Sequence, residues 1–172
     1  MLFRSTDVLI SAVRNALIEV PLMNAHFGDD AITTFEEINI GLAVATEAGL
    51  MVPVLHKLNT SDAADISAKR KEAVEKARAG KLGMADVDGG TFTISNLGML
   101  GIDRFDAILN PPQIGILAVG STKQVVVANS EGGIVVISQA NLTLTCDHRA
   151  VDGATGATFL KSIQRNLESQ VN

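Results

Sequence analysis

His148 and Asp152 stand in the stretch Asp147-His148-Arg149-Ala150-Val151-Asp152-Gly153, where an imidazole is followed four residues later by a carboxylate and then by a glycine. A neutral imidazole, with a reference pKa of about 6.5, takes up a proton near neutral pH, and few other side chains can. Chemistry is therefore expected in this block. A strand ending at His148 and a helix opening at Asp152 would present the ring at the rim of a sheet, where a substrate can approach. On spacing alone, the competing reading is a histidine that caps or fills a strand end. Asp152 reads as the N-cap of a closing helix and an orienting partner for the loop rather than as a proton carrier.

Cys146 is the only cysteine, which excludes an intrachain disulfide framework and a cysteine-based zinc site and is compatible with a reducing compartment. A nucleophile pair of Cys146 and His148 is disfavoured, because α-carbons two residues apart on a strand lie about 6.5 Å from each other. That is long for a nucleophile and its base, so Cys146 reads as a buried, inert side chain. A metal held by His148 and Asp152 lacks a third ligand at supporting spacing, since His26 and His56 are far away in sequence. No metal is expected.

The elements that must position this block follow from periodicity. Val8, Leu9, Ala12, Val13, Ala16, Leu17 and Val20 recur at helical intervals after a Ser5-Thr6-Asp7 cap region, and Pro21 closes the run. Residues 35–46 and 50–55 predict a hairpin turning at Glu47-Ala48-Gly49. A second helix is expected from a Thr60-Ser61 cap to Ala79, with Gly80 in the left-handed position beyond it. Thr91 to Ser95 alternates as a strand, and Asn96-Leu97-Gly98 with Gly101 breaks it into a loop. Ile114 to Val119 and Gln124 to Ala128 precede a Ser130-Glu131-Gly132-Gly133 turn and a long strand through Ile134 to Ile137 and Leu142 to Cys146. The closing helix is expected to bury Phe159, Leu160, Ile163 and Leu167. Hairpin turns without regular βαβ alternation predict an α+β fold with a mixed, largely antiparallel sheet packed by helices.

The chain has 172 residues, 47% of them hydrophobic, enough for one compact core. A net charge of -5, without basic residues interleaved with aromatics, argues against a nucleic-acid partner. The basic run Lys69, Arg70, Lys71, Lys76 and Arg78 is mixed with Glu72 and Glu75 and reads as a solvated helix face. No apolar run approaches the roughly 18 residues of a membrane span, so no membrane partner is expected. The high apolar fraction favours burial of some surface between subunits.

Three segments in this order and spacing carry a resemblance: Thr91-Phe92-Thr93-Ile94-Ser95-Asn96-Leu97-Gly98, Asn110-Pro111-Pro112-Gln113, and the block from Asp147 to Gly153. Together they resemble the catalytic domain of the dihydrolipoamide acyltransferases, the core subunits of 2-oxoacid dehydrogenase complexes, over nearly the whole chain. Ser-Asn-Leu-Gly combined with Asn-Pro-Pro-Gln is most similar to the acetyl-transferring branch of the pyruvate complex. The resemblance implies a fold like that of chloramphenicol acetyltransferase and transfer of an acetyl group between dihydrolipoamide and coenzyme A. It implies that His148 is the general base, that Ser95 donates a hydrogen bond to the tetrahedral intermediate, and that Asp152 holds the histidine loop. Asn110, Pro111 and Gly98 become the candidates beside the coenzyme A channel. A rigid turn at Pro111-Pro112 and a backbone role for Gly98 and Gly153 are the competing readings.

The resemblance further implies a homotrimer, or a larger cubic or dodecahedral core of trimers, with each active site between subunits, one giving the histidine and its neighbour the serine. Its partners would be the 2-oxoacid decarboxylase and dihydrolipoamide dehydrogenase, in the cytoplasm or, in a eukaryote, the mitochondrial matrix. The lipoyl group would ride on a domain not in this chain. Residues 1–172 are expected to be a catalytic domain shortened at its N-terminus. Two alternatives remain: a non-catalytic core scaffold, and a free-standing enzyme resembling chloramphenicol acetyltransferase that acts on a small alcohol or amine.

Overall fold

The computed structural model describes residues 5–171. Helix α1 (Ser5–Glu19) buries Leu9, Ile10, Val13, Ala16 and Leu17 along one stripe and stops ahead of Pro21. The expected cap region is different: Ser5 already lies within the helix, and Asp7 is only 3% exposed. Its carboxylate accepts hydrogen bonds from Nε and Nη2 of Arg70 on helix α2 (Ala63–Arg78). Arg70 is thus buried rather than on a solvated face. The cause is its position on the stripe formed by Ile66, Ser67, Arg70, Ala73 and Ala77, which mixed charges in the sequence do not disclose. Because a lone buried guanidinium is costly, Asp7→Ala is expected to lower unfolding free energy by about 3 kcal/mol. Replacing both partners by apolar residues should cost clearly less. Urea denaturation of the two variants measures the difference, and equal losses would remove the ion-pair explanation.

The cap of α2 is Asp62, whose side chain accepts from the amide of Asp65 at 2.8 Å, not Thr60-Ser61. Gly80 has the expected left-handed backbone, with φ of 64°.

Strand β1 (Ala25–Gly28) and β2 (Ala31–Thr34) form a hairpin that the sequence reading missed. Its turn, Asp29-Asp30, has positive φ at both positions, as a two-residue hairpin of matching twist requires. Strand β3 (Ile40–Thr46) and β4 (Gly49–Met51) form the expected hairpin, turning at Glu47-Ala48. Residues 35–39 are not strand. Asn39 there spends its side chain on the backbone, accepting from Lys57 and donating to Gly89. Strand β5 (Val54–Leu55) returns to β3. A short helix α3 (Met84–Val87) leads to β6 (Phe92–Asn96), and β7 (Gly115–Val119) follows after an irregular stretch.

The expected long strand from Ile134 to Cys146 is two. Strands β8 (Lys123–Ala128) and β9 (Ile134–Gln139) make a separate ribbon, and β10 (Leu142–Cys146) rejoins the main sheet. The main sheet runs β10-β7-β6-β3-β4, with β5 also beside β3. Its central pairs β3–β6 and β6–β7 are parallel, and the flanking pairs are antiparallel. The fold is α+β with a mixed sheet, as expected.

Helix α4 (Gly153–Val171) closes the chain against α1. Phe159 and Ile163 are fully buried, and Phe159 meets Phe92 edge-on at 5.4 Å between ring centroids. Leu160 and Leu167 are only partly covered. No helix among the described residues is long and apolar enough to cross a membrane.

Candidate active site

Strand β10 alternates Leu142, Leu144 and Cys146 toward the helices with Thr143 and Thr145 toward the other side. At its end the chain makes a tight turn: the amide of Asp147 donates to the carbonyl of Ile114 at 2.9 Å, and the carbonyl of Asp147 accepts from Ala150 and Val151. His148 is exposed on this turn, at the sheet rim where it was expected. Val151 is buried and pins the far side. Asp152 caps α4, accepting from the amide of Thr155 at 2.8 Å. That bond, with lesser help from the nearby His148, holds the Asp152 carboxyl below the usual carboxylate range.

His148 and Asp152 form the polar rim of an open cleft of about 290 Å³ between β10 and the first turns of α4. Leu144, Cys146, Val151, Ala157 and Leu160 give it an apolar wall. The sequence reading did not assign Leu144, Val151 or Ala157 to the site, although the alternation Leu142-Thr143-Leu144-Thr145-Cys146 already puts Leu144 and Cys146 on one face. Cys146 is half-buried rather than buried, and burial pushes its thiol up to about 11. It is protonated near neutral pH, in keeping with an inert side chain.

Ser95 lies elsewhere. It pairs in register with Ala118 of β7, which pairs with Thr143 of β10. With about 3.3 Å per residue and about 4.8 Å between strands, Ser95 is more than about 10 Å from the His148 turn of its own chain. It also shares a sheet face with Thr143, opposite to Leu144 and Cys146. One chain does not bring Ser95 and His148 together. Gly98 follows Ser95 at that far end, and a Cβ there would stand 2.7 Å from the carbonyl oxygen of Gly120, which gives the glycine a packing reason. Asn110 and Pro111 are exposed and lie at the His148 end: the Asn110 carbonyl accepts from Gln113, and Ile114 hydrogen-bonds the Asp147 amide.

The Asp147 carboxylate accepts from Arg149 Nε at 2.9 Å and Nη2 at 2.6 Å. Those bonds, and one from the Arg149 amide, hold the Asp147 carboxyl down to about 2. A depressed carboxylate pKa stabilises the fold above the unfolded value of about 4, and that contribution is lost as pH falls through about 2. The melting-temperature gap between the protein and Asp147→Asn is therefore expected to narrow steadily between pH 5 and pH 2. A constant gap would mean that the pair does not couple to stability.

No group of three or more histidine, cysteine, aspartate or glutamate residues that could hold a metal occurs among the described residues. The site thus offers an exposed imidazole beside a partly apolar cleft, which suits proton transfer to or from a substrate lying along that wall.

Comparisons with known proteins bear on this arrangement. The family model of 2-oxoacid dehydrogenases acyltransferase (catalytic domain) matches residues 3–172. The acetyltransferase component of the pyruvate dehydrogenase complex of Rickettsia bellii is 46% identical over 164 residues, which cover 95% of this chain and 39% of that protein. The chain therefore spans about two fifths of the length of this curated relative. The crystal structure of a probable dihydrolipoamide acetyltransferase from Listeria monocytogenes superposes with a TM-score of 0.93 at 36% identity, covering 97% of this chain and 71% of that one. The dihydrolipoamide acetyltransferase of Azotobacter vinelandii superposes with a TM-score of 0.91 at 31% identity, covering 96% of this chain and 68% of that one. That enzyme was studied for the role of a serine, a histidine and an asparagine in its catalytic mechanism, the last two standing four residues apart. Chloramphenicol acetyltransferase shares the fold alone, with a TM-score of 0.59 at 16% identity over 94% of this chain and 77% of that one.

Proposed function

The chain belongs to the 2-oxoacid dehydrogenases acyltransferase family through its catalytic domain, and from that premise we propose that it transfers an acetyl group between dihydrolipoamide and coenzyme A at a site completed by a second copy. The observation that carries the reading is the His148 rim: an exposed imidazole, held by a fixed turn, beside an apolar wall. A thiol with a pKa of about 8.5 is mostly protonated near pH 7, so a base within reach makes it a competent nucleophile. His148 takes the thiol proton as the sulfur bonds to the thioester carbon. When the original carbon–sulfur bond breaks, the imidazolium returns the proton to the departing sulfur. In between, the carbonyl oxygen carries negative charge, and the Ser95 hydroxyl of a neighbouring copy donates to it.

Assembly into trimers, and of trimers into a core, follows from this reading. It is supported by the separation of Ser95 from His148 within one chain, and by the apolar ribbon β8–β9, where Val126, Ile134 and Val136 are more than 60% exposed. Asp152 stands four residues after His148, as the asparagine stands after the histidine in the Azotobacter vinelandii enzyme. Either residue serves as a helix N-cap, so a positioning role suits this place better than proton transfer. Asn110 and Pro111 line the approach on the His148 side. The decarboxylase and dihydrolipoamide dehydrogenase of a pyruvate dehydrogenase complex are its partners on this reading.

Acetyl-CoA with free dihydrolipoamide tests the proposal. Thioester formation on the dithiol, with none on small alcohol or amine acceptors, is the expected result. A large particle inactive toward every acceptor would instead make the chain a scaffold.

A further inference from the structure

We infer that Phe27 and Arg149 form a latch that positions His148, tying the two motif segments at its end of the sheet to the β1–β2 hairpin; this rests on the acetyl-transfer reading above. The guanidinium carbon of Arg149 lies 4.2 Å from the centroid of the Phe27 ring. Its nitrogens grip both oxygens of Asp147. Because Asp147 and Arg149 flank His148, this grip fixes the residues on either side of the imidazole. Consecutive side chains are sent to different tasks: Arg149 crosses to Phe27, while His148 lines the cleft.

Phe27 holds a second contact of its own. Its backbone amide donates to the carbonyl of Pro112 at 2.8 Å, and its neighbour His26 forms a β-bridge with Gln113. The ring of one residue thus steadies the histidine turn while its backbone steadies the Asn110-Pro111-Pro112-Gln113 segment. An exposed ion pair alone contributes little. A bidentate pair whose guanidinium also sits over an aromatic ring is more specific in direction, because the carboxylate takes the fork of donors while the ring attracts the charge. This contact sets where the turn sits relative to the hairpin, and small misplacements of a catalytic group are expensive in rate.

Phe27→Leu keeps an apolar side chain and the amide bond to Pro112 but removes the ring face. With acetyl-CoA and dihydrolipoamide, its kcat is expected to fall about tenfold with KM for both substrates within about twofold of the parent. Phe27→Tyr, which keeps a ring face, should restore kcat. Arg149→Lys, unable to grip both oxygens, should fall as far as Phe27→Leu, and the double variant no further than the worse single. Nuclear magnetic resonance of the His148 ring gives a readout independent of turnover: one sharp Hε1 signal in the parent and in Phe27→Tyr, exchange-broadened in Phe27→Leu. An unchanged kcat and a sharp ring signal in folded Phe27→Leu would overturn the latch, as would additive losses in the double variant. A parent without acetyl transfer would sink the function instead, and the ring signal would still decide the latch.

Discussion

His148→Ala is expected to lower the rate of acetyl transfer between coenzyme A and dihydrolipoamide by a factor of about 10²–10⁴, the range that a positioned general base contributes. Its KM values should change little, since on the proposed reading the imidazole would act on the proton rather than hold the body of either substrate. The loss has no structural excuse: His148 is exposed, and the turn that carries it is closed by backbone bonds of Asp147, Ala150 and Val151. Cys146 is a poor stand-in for the nucleophile, because burial pushes its thiol up to about 11. Steady-state kinetics on the folded variant decides the matter, and a His148→Ala protein within threefold of the parent would end the base assignment.

Mixing two crippled chains should bring activity back. Ser95→Ala is expected to cost about 10²-fold by removing one donor to the oxyanion. Within one chain, Ser95 and the His148 cleft lie on opposite faces of the sheet. If both residues serve one site, as proposed, that site draws its serine from one copy and its histidine from another. In trimers assembled from equal amounts of Ser95→Ala and His148→Ala chains, about one interface in four receives both intact residues, so about a quarter of parental activity should return. The chains have to be co-expressed or refolded together for the copies to exchange. Recovery no greater than the average of the two parents would place both residues in one subunit's site, or outside any site.

The reach of the sequence was uneven for identifiable reasons. The long helices were legible: α1 and α4 are where apolar residues put them, α2 where a run of helix formers ending at Gly80 put it, and Asp152 caps α4 as expected. Short elements with little buried surface were not. The β1–β2 hairpin has one buried residue, Ala25, so no alternation betrayed it. That omission also hid Phe27 and its contact with Arg149. Which pairs of the expected mixed sheet run parallel was likewise not legible, because strand direction depends on where a connection returns and not on the strand's own residues.

What the sequence determined by itself was chemical and local: an imidazole before a helix cap, a serine at the end of a strand, and three motif segments whose order and spacing carry the family. Residue types and short-range backbone preferences suffice for that, since they are properties of neighbours along the chain. Only the tertiary structure decided which of these groups meet. Strand register sent Ser95 and His148 to different faces and ends of one sheet, and burial turned Arg70 from a surface charge into the partner of Asp7. Such outcomes depend on contacts between residues dozens of positions apart, and the geometry of those contacts is set by the packed core as a whole rather than by any segment of it.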